Sequence, residues 1–435
     1  MSKKTVAFHT LGCKVNQYET NAMMQQFIEK GYEIVEFNEK ADIYIINTCT
    51  VTNMSDRKSR QMLRKAKQKN KDGIIVATGC YAQVAKQELE KIEEIDLILG
   101  INEKNEIVKF VEDFINTNKK IENISDVMQQ KEFLDFGCVT SVERTRAAIK
   151  IQDGCDRFCT YCIIPYARGR VRSRKAESIV AEVTELAKSG IKEIVLTGIH
   201  IASYGKDFKE ENALLNLLHL LNEIPGLKRI RLGSIEPTLL TPEFVNELKQ
   251  IEKICDHFHL SLQSGCDETL KRMNRRYTTD EFRKVVQTLR KLFPNAALTT
   301  DVIVGFPGET EEEFQKTFDF LKEMNFYKIH VFPYSQRNGT KAAIMDNQIS
   351  AEIKEKRVQK LIELSDSNEE RILQQYINKH IEVLFEQEDG EYIKGHTTNY
   401  IEVQVPKTQA LENQIEIVEV TKVAYKKLEG LVIKM

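Results

Sequence analysis

The sequence predicts an α/β chain in three parts: a doubly wound parallel α/β domain over residues 1–117, a partial six-unit βα barrel over 144–377 and a small antiparallel β-barrel over 378–435, with a linker at 118–143. Three observations carry this. Short apolar runs alternate with helical periodicity in two separate series, the rhythm of parallel sheets covered by helices. Between the series, periodicity fades into a stretch rich in Asn, Lys and Glu. Beyond residue 376 the period drops to two, with polar turns such as Asp389-Gly390 between runs, as in a small barrel.

In the first series, strands are expected at 5–9, 33–37, 42–46, 73–77 and 96–99. Helices fall at about 16–30, where Gly31 supplies the stop, from about 55, and after Tyr81. The second series places strands at 147–152, 193–197, 229–233, 258–263, 298–304 and 329–332, and helices at 178–189, 242–251, 280–292 and 311–324. Six strands suit an incomplete barrel, and by analogy with closed barrels its functional groups belong at the strands' carboxyl ends. A polar amphipathic helix at about 350–376 leads to runs at 380–386, 391–396, 401–405, 414–420 and 431–434.

The cysteines sit where this architecture would use them. Cys13, Cys49 and Cys80 each follow the carboxyl end of a predicted strand, in Leu11-Gly12-Cys13, Asn47-Thr48-Cys49 and Thr78-Gly79-Cys80. Doubly wound sheets bind ligands along that edge, so the three can converge on a metal centre; buried inert thiols are the other reading. Cys155, Cys159 and Cys162 form a C-x3-C-x2-C loop directly after the first barrel strand. Three thiolates on a 4Fe-4S cube leave one iron open to substrate or cofactor, whereas an electron-transfer cluster normally takes four cysteines. Zinc would need a fourth ligand such as Cys138 or a histidine, and structural zinc sites favour paired short spacings. Cys138, Cys255 and Cys266 lack partner spacing and read as packing residues.

With 435 residues and 41% hydrophobic content, the chain can build two or three cores. No apolar h-region follows Lys3 and Lys4 and no run approaches eighteen apolar residues, so a reducing cytoplasm and no membrane partner are expected. The net charge of -2 hides local basic stretches: eight Lys/Arg between Arg57 and Lys71, nine between Arg144 and Lys175, and Lys271, Arg272, Arg275 and Arg276. Such stretches track a phosphate backbone or form solvated faces. Arg168, Arg170, Arg172 and Arg174 alternate, so an extended segment would point all four one way, toward RNA phosphates or a wet edge. The terminal barrel, with seven Lys against ten Asp/Glu, gives no compositional sign of RNA binding.

The cysteine loop, with Tyr161 just before its third cysteine, resembles the radical S-adenosylmethionine (SAM) superfamily. That resemblance implies that SAM chelates the open iron and is cleaved to a 5′-deoxyadenosyl radical, with Tyr161 near the adenine. Together with Cys13, Cys49, Cys80 and a terminal barrel similar to the TRAM domain, the chain resembles the methylthiotransferase family over nearly its whole length. The family implies two 4Fe-4S clusters, an auxiliary one on Cys13, Cys49 and Cys80 and a SAM-cleaving one on Cys155, Cys159 and Cys162. It also implies replacement of a C–H bond by C–S–CH3, an electron donor and a sulfur source.

Leu11-Gly12-Cys13-Lys14-Val15-Asn16 and Asn47-Thr48-Cys49-Thr50-Val51-Thr52 resemble the branch acting on N6-threonylcarbamoyladenosine beside the tRNA anticodon. The branch for isopentenyladenosine more often has Gly-Cys-Gln-Met-Asn, and the one for a ribosomal-protein aspartate Cys-Pro-Lys-Asn. Both remain alternatives, beside an RNA-binding iron-sulfur protein without catalysis. Gly198, Glu236, Gln263 and Gly305 stand at the ends of later barrel strands and are candidate SAM contacts. Turn-shaping glycines are the competing reading for Gly198 and Gly305, and a helix start for Glu309.

Overall fold

The computed structural model describes residues 3–140, 145–407 and 410–433, so Arg144 and Lys434 lie outside the described residues. Its first sheet has six parallel strands: β1 (Thr5–Thr10), β2 (Glu33–Val35), β3 (Ile43–Thr48), β4 (Ile74–Gly79), β5 (Leu97–Leu99) and β6 (Ile121–Asn123). Their order is β2-β1-β3-β4-β5-β6, which reverses direction beside β1 and opens a crevice at the strands' carboxyl ends. All six residues of β3 are buried, which explains its unbroken apolar run. β6 arises from the stretch read as linker, where Ile121 pairs with Leu97. Three residues are too few to show a period.

Helix Lys14–Glu29 breaks the usual amphipathic pattern. It buries Asn16, Glu19 and Thr20 beside Val15, Ala22, Met23 and Phe27. Cys13 takes its N-cap position without making a capping hydrogen bond, where Ser, Thr, Asp or Asn would ordinarily stand. Polar side chains on a buried face need partners, and here the next domain provides them.

That domain is a partial barrel of six parallel strands, β7 (Arg146–Asp153), β9 (Glu193–Gly198), β10 (Arg229–Leu232), β11 (His257–Gln263), β12 (Ala297–Val304) and β13 (Lys328–Pro333), with the short β8 (Arg172–Ser173) antiparallel to the end of β7. Isolated bridges Ile230–Ile254 and Ile235–Leu260 span the break between β10 and β11. Ala147, Ile149 and Ile151 share one core with Ile194, Leu196 and the helices Ala176–Lys188 and Ala213–Asn222. Helices Thr279–Leu292 and Glu311–Met324 each open with a capping box, Thr278 with Glu281 and Thr310 with Glu313.

Helix Ala351–Gln374 leads into a closed barrel, β14 (His380–Asp389), β15 (Tyr392–His396), β16 (Glu402–Pro406), β17 (Ile415–Ala424) and β18 (Lys427–Val432), in the order β14-β15-β16-β18-β17. The β16–β18 seam is parallel and the other seams antiparallel. β18 starts at Lys427 rather than at 431. The turn before it, Tyr425-Lys426, has positive φ at both residues, a hairpin geometry usually announced by Asn or Gly and here hidden by side chains that avoid it.

The terminal barrel is seated against the amino ends of the central strands. Arg231 donates to Glu193 at 2.8 Å and to the Thr398 carbonyl at 2.8 Å. Arg229 reaches the His396 carbonyl and Glu382, and Arg146 pairs with Glu386 at 2.9 Å. The Arg146 and Arg231 guanidinium carbons lie 5.0 and 4.7 Å from the Tyr400 ring centroid. Truncating one partner of such a buried pair costs about 3–5 kcal/mol. Arg231→Leu should therefore loosen the seat and speed proteolysis between Gln374 and Lys379; an unchanged digestion rate would contradict this role.

Candidate active site

β1, β3 and β4 are neighbours in the first sheet, so Cys13, Cys49 and Cys80 leave adjacent strand ends. Gly12 makes their approach possible. Its φ is +99°, and a Cβ there would stand 2.7 Å from the Cys49 Sγ. Burial pushes the Cys80 thiol up to about 11, with Arg168 pulling it back and the charges of Cys49 and Cys13 adding to the rise. Burial likewise raises Cys49, and Cys13 contributes.

The C-x3-C-x2-C loop is fixed at several points. Gly154 has φ +70°, and a Cβ there would strike the Arg170 carbonyl. Cys155 N–H donates to the Gly169 carbonyl, Thr160 N–H to the Met273 carbonyl, and Asn274 Nδ2 to the Phe158 carbonyl. Phe158 holds a left-handed conformation, φ +48°, that a non-glycine residue rarely adopts. Burial pushes Cys155 up to about 11 and Cys162 to about 12, with Cys159 raising both further. Arg275 donates to the Cys159 Sγ at 3.4 Å. Among the described residues no three His, Cys, Asp or Glu side chains close on a point as a single metal ion requires. The thiols within each trio feel one another's charge without meeting. Cys138 sits apart, its thiol raised by burial and further by Glu182, with Arg174 opposing.

Arg168 joins the two trios. It ends the short helix Ile164–Arg168 just after Cys162, and that helix packs against helix Cys80–Val84. Its Nε donates to the Cys80 Sγ at 3.2 Å, and its terminal nitrogens reach Glu19 at 2.8 Å, Asp153 at 3.0 Å and Asn16 Oδ1 at 2.7 Å. Lys150 pairs with Glu19 and Asp153, both at 2.6 Å, and Lys104 also pairs with Glu19. Glu19, Lys104, Lys150 and Arg168 have no solvent exposure. With Arg172 3.6 Å from Asp153, four cations meet two carboxylates. Despite their burial, these cations hold Glu19 and Asp153 well below the ordinary carboxylate range. Arg337 adds a second tie, from the loop after β13 to Asp56 at 2.6 Å and to Thr50 Oγ1, next to Cys49.

The alternating-arginine expectation is corrected here. The segment turns through a helix and Gly169, and Arg168, Arg172 and Arg174 are buried in ion pairs while Arg170 stays exposed. Arg57–Lys71 lies mostly on the solvated face of helix Asn53–Lys69. Arg272 pairs with Glu313, and Lys271 and Arg276 are exposed.

Around the cysteine loop, Tyr161 meets Phe306 edge-to-face at 6.5 Å. Gly198 lies against Gln152, whose Oε1 would be 2.9 Å from a Cβ. Gln263 ends β11 with φ +73°, a strained setting for glutamine at a functional edge. Gly305 N–H donates to Glu309, which Arg357 also holds at 2.7 Å, so Glu309 buttresses the glycine turn rather than opening the next helix. Glu236 is buried between Arg157 at 2.6 Å and His200 Nε2 at 2.6 Å.

A cavity of about 510 Å³ lies between the central strands and the terminal barrel, lined by Lys14, His257, His259 and His330 among others, with Tyr400 and His396 facing them from the terminal barrel. The size suits a small organic ligand. Sequence reasoning missed this lining and the Glu19 network. Helical spacing in steps of three, from Cys13 to Asn16 and from Asn16 to Glu19, could have pointed to both.

Two family models match this architecture: the radical SAM superfamily over residues 149–321, and the uncharacterized protein family UPF0004 over residues 5–100. A threonylcarbamoyladenosine tRNA methylthiotransferase, MtaB, of Bacillus subtilis is 43% identical over 99% of this chain and 97% of its own length. The chain belongs to the radical SAM methylthiotransferase family. Another methylthiotransferase relative, a tRNA-2-methylthio-N(6)-dimethylallyladenosine synthase of Alkaliphilus oremlandii, is 35% identical over 98% of this chain and 92% of its own. In fold alone, the radical SAM methyltransferase TsrM of Kitasatospora setae, solved with cobalamin and a [4Fe-4S] cluster, matches with a TM-score of 0.57 at 16% identity, covering 79% of this chain and 77% of that one.

Glu236 yields a pH signature. Burial alone would raise its pKa, but the His200 hydrogen bond and the charges of Arg275, His200 and Arg157 hold it down to about 2, from an ordinary 4.5. A folded value below the unfolded one gives stability that is complete above about pH 4.5 and is lost as pH falls towards 2. Glu236→Gln should flatten that acid limb and remove about 3 kcal/mol at neutral pH. Denaturation of both proteins from pH 7 to 2.5 checks it, and parallel curves would refute it.

Proposed function

We propose that this methylthiotransferase converts N6-threonylcarbamoyladenosine at position 37 of tRNA, 3′ of the anticodon, to its 2-methylthio derivative. The near full-length 43% identity to a relative named for that substrate carries the reading. In this reading Cys155, Cys159 and Cys162 hold the SAM-cleaving 4Fe-4S cluster, and Cys13, Cys49 and Cys80 the auxiliary one. The residues fit such groups: each trio offers three thiols and no fourth, Gly12 leaves the gap that the Cys49 thiol needs, and the cation excess around Arg168 suits an anionic thiolate cluster. When bound, the two clusters supply the electron that cleaves SAM and the site at which sulfur is methylated before transfer.

The chain's own residues do the positioning. Arg168 and Arg275 donate to a sulfur of each trio, favouring the thiolate. In the same reading Tyr161, Gly198, Glu236, Gln263 and Gly305, which lie in the cysteine loop or near the carboxyl ends of the barrel strands, contact SAM. Glu236, kept ionised by Arg157 and His200, is an acceptor for a ribose hydroxyl or the methionine amine. Helices Cys80–Val84 and Ile164–Arg168 close against each other and exclude water between the trios. Functional domains follow residues 1–117, 144–377 and 378–435, with β6 showing that 118–143 also serves the first. An external electron donor and a sulfur source complete the partners, and the cytoplasm is the setting; among the described residues no helix is long and apolar enough to cross a membrane.

Cys159→Ala should abolish 5′-deoxyadenosine formation, and Cys49→Ala should lower iron from about eight to about four per chain while SAM cleavage persists. Deoxyadenosine from the first variant, or undiminished iron in the second, would overturn the ligand assignment. In cells lacking the gene, mass spectrometry of tRNA nucleosides should show loss of the methylthio form of threonylcarbamoyladenosine. Loss of the isopentenyladenosine product instead would favour the second relative's activity.

A further inference from the structure

Among the described residues, charges along the cavity between the central strands and the terminal barrel are answered in pairs, with one exception. Arg231 is held by Glu193 at 2.8 Å, Lys328 by Glu369 at 3.0 Å, Lys426 by Asp366 at 2.6 Å, and Asp301 by His259 at 3.0 Å. Lys14 makes neither an ion pair nor a side-chain hydrogen bond among the described residues, and it remains exposed to the cavity. Its position is unfavourable on its own terms. It is the first residue of the sixteen-residue helix Lys14–Glu29, where the helix dipole already presents positive charge and acids, not bases, are stabilised. Across the cavity His257 is nine-tenths buried, and its Nδ1 has no hydrogen-bond partner. A buried polar atom left unpaired carries a desolvation cost that a ligand can relieve.

We infer that Lys14 binds the carboxylate of the substrate's N6 substituent and that His257 accepts or donates a hydrogen bond to the same substituent. The inference rests on the substrate reading above and adds the determinant that distinguishes this substrate. A threonylcarbamoyl group carries one carboxylate, a hydroxyl and a urea-like linkage, matching an unpaired cation, a vacant ring nitrogen and a polar wall. An isopentenyl group carries none of these and would leave Lys14 and His257 unsatisfied, the asymmetry by which a polar site rejects an apolar analogue. The cavity's 510 Å³ admits a base with its substituent. Because Lys14 directly follows Cys13, the anchored end of the substrate lies one residue from a proposed cluster ligand.

The test is equilibrium binding of anticodon stem-loop RNAs to the anaerobically reconstituted full chain. One RNA carries N6-threonylcarbamoyladenosine, a second its carboxamide, in which the acid becomes a neutral amide, and a third unmodified adenosine. The wild type should prefer acid to carboxamide by roughly tenfold or more, the scale of a charge-assisted hydrogen bond. Lys14→Gln should erase that preference while keeping its affinity for the carboxamide, and Lys14→Arg should retain part of it. Retention of the full preference by Lys14→Gln, or its absence in the wild type, would overturn the inference. Turnover of threonylcarbamoyl RNA with an unshifted ratio sinks the Lys14 role alone, whereas turnover only of isopentenyl RNA sinks the substrate reading beneath it.

Discussion

Glu19 is a carboxylate cut off from water, and the meeting of the two cysteine trios depends on how its charge is answered. It belongs to the first domain, and so does Lys104; Arg168, Lys150 and Asp153 belong to the second. Net stabilisation from such a network is modest, because desolvation consumes much of the attraction. Its larger effect is selective. Any other docking of the domains would leave dry charges uncompensated, at several kcal/mol each. The register that satisfies Glu19 also sets Arg168 against the Cys80 sulfur.

That arrangement explains two local oddities. Helix Lys14–Glu29 gives up both a normal cap and part of its apolar stripe, losses that would weaken it in isolation. Both serve the site: the cap position carries Cys13, and the polar stripe carries Asn16 and Glu19. The two glycines that precede Cys13 and Cys80 share φ +99°, so the same local distortion recurs at separate strand ends.

Most elements of the two α/β regions were legible because their strands are apolar runs and their helices keep a helical apolar period. β6 and the Tyr425-Lys426 turn were not, one being too short for a period and the other using residues that disguise it. Cysteine positions at strand ends were enough to anticipate that Cys13, Cys49 and Cys80 leave neighbouring strands along one edge of the first sheet. The arginine stretch misled for a physical reason: alternation predicts one face only if the backbone is extended, and Gly169 bends it. Partners of buried ions come from remote segments, so spacing within one segment could not reveal Glu19 with Arg168.

Tyr400 has φ +68°, stacks on His396 at 4.6 Å between ring centroids, and faces two guanidinium groups of the central strands. Its loop thereby forms one wall of the cavity between the central strands and the terminal barrel. A module that would otherwise count as an appendage thus shares a wall with the central domain, and any displacement of that module reshapes the cavity between them.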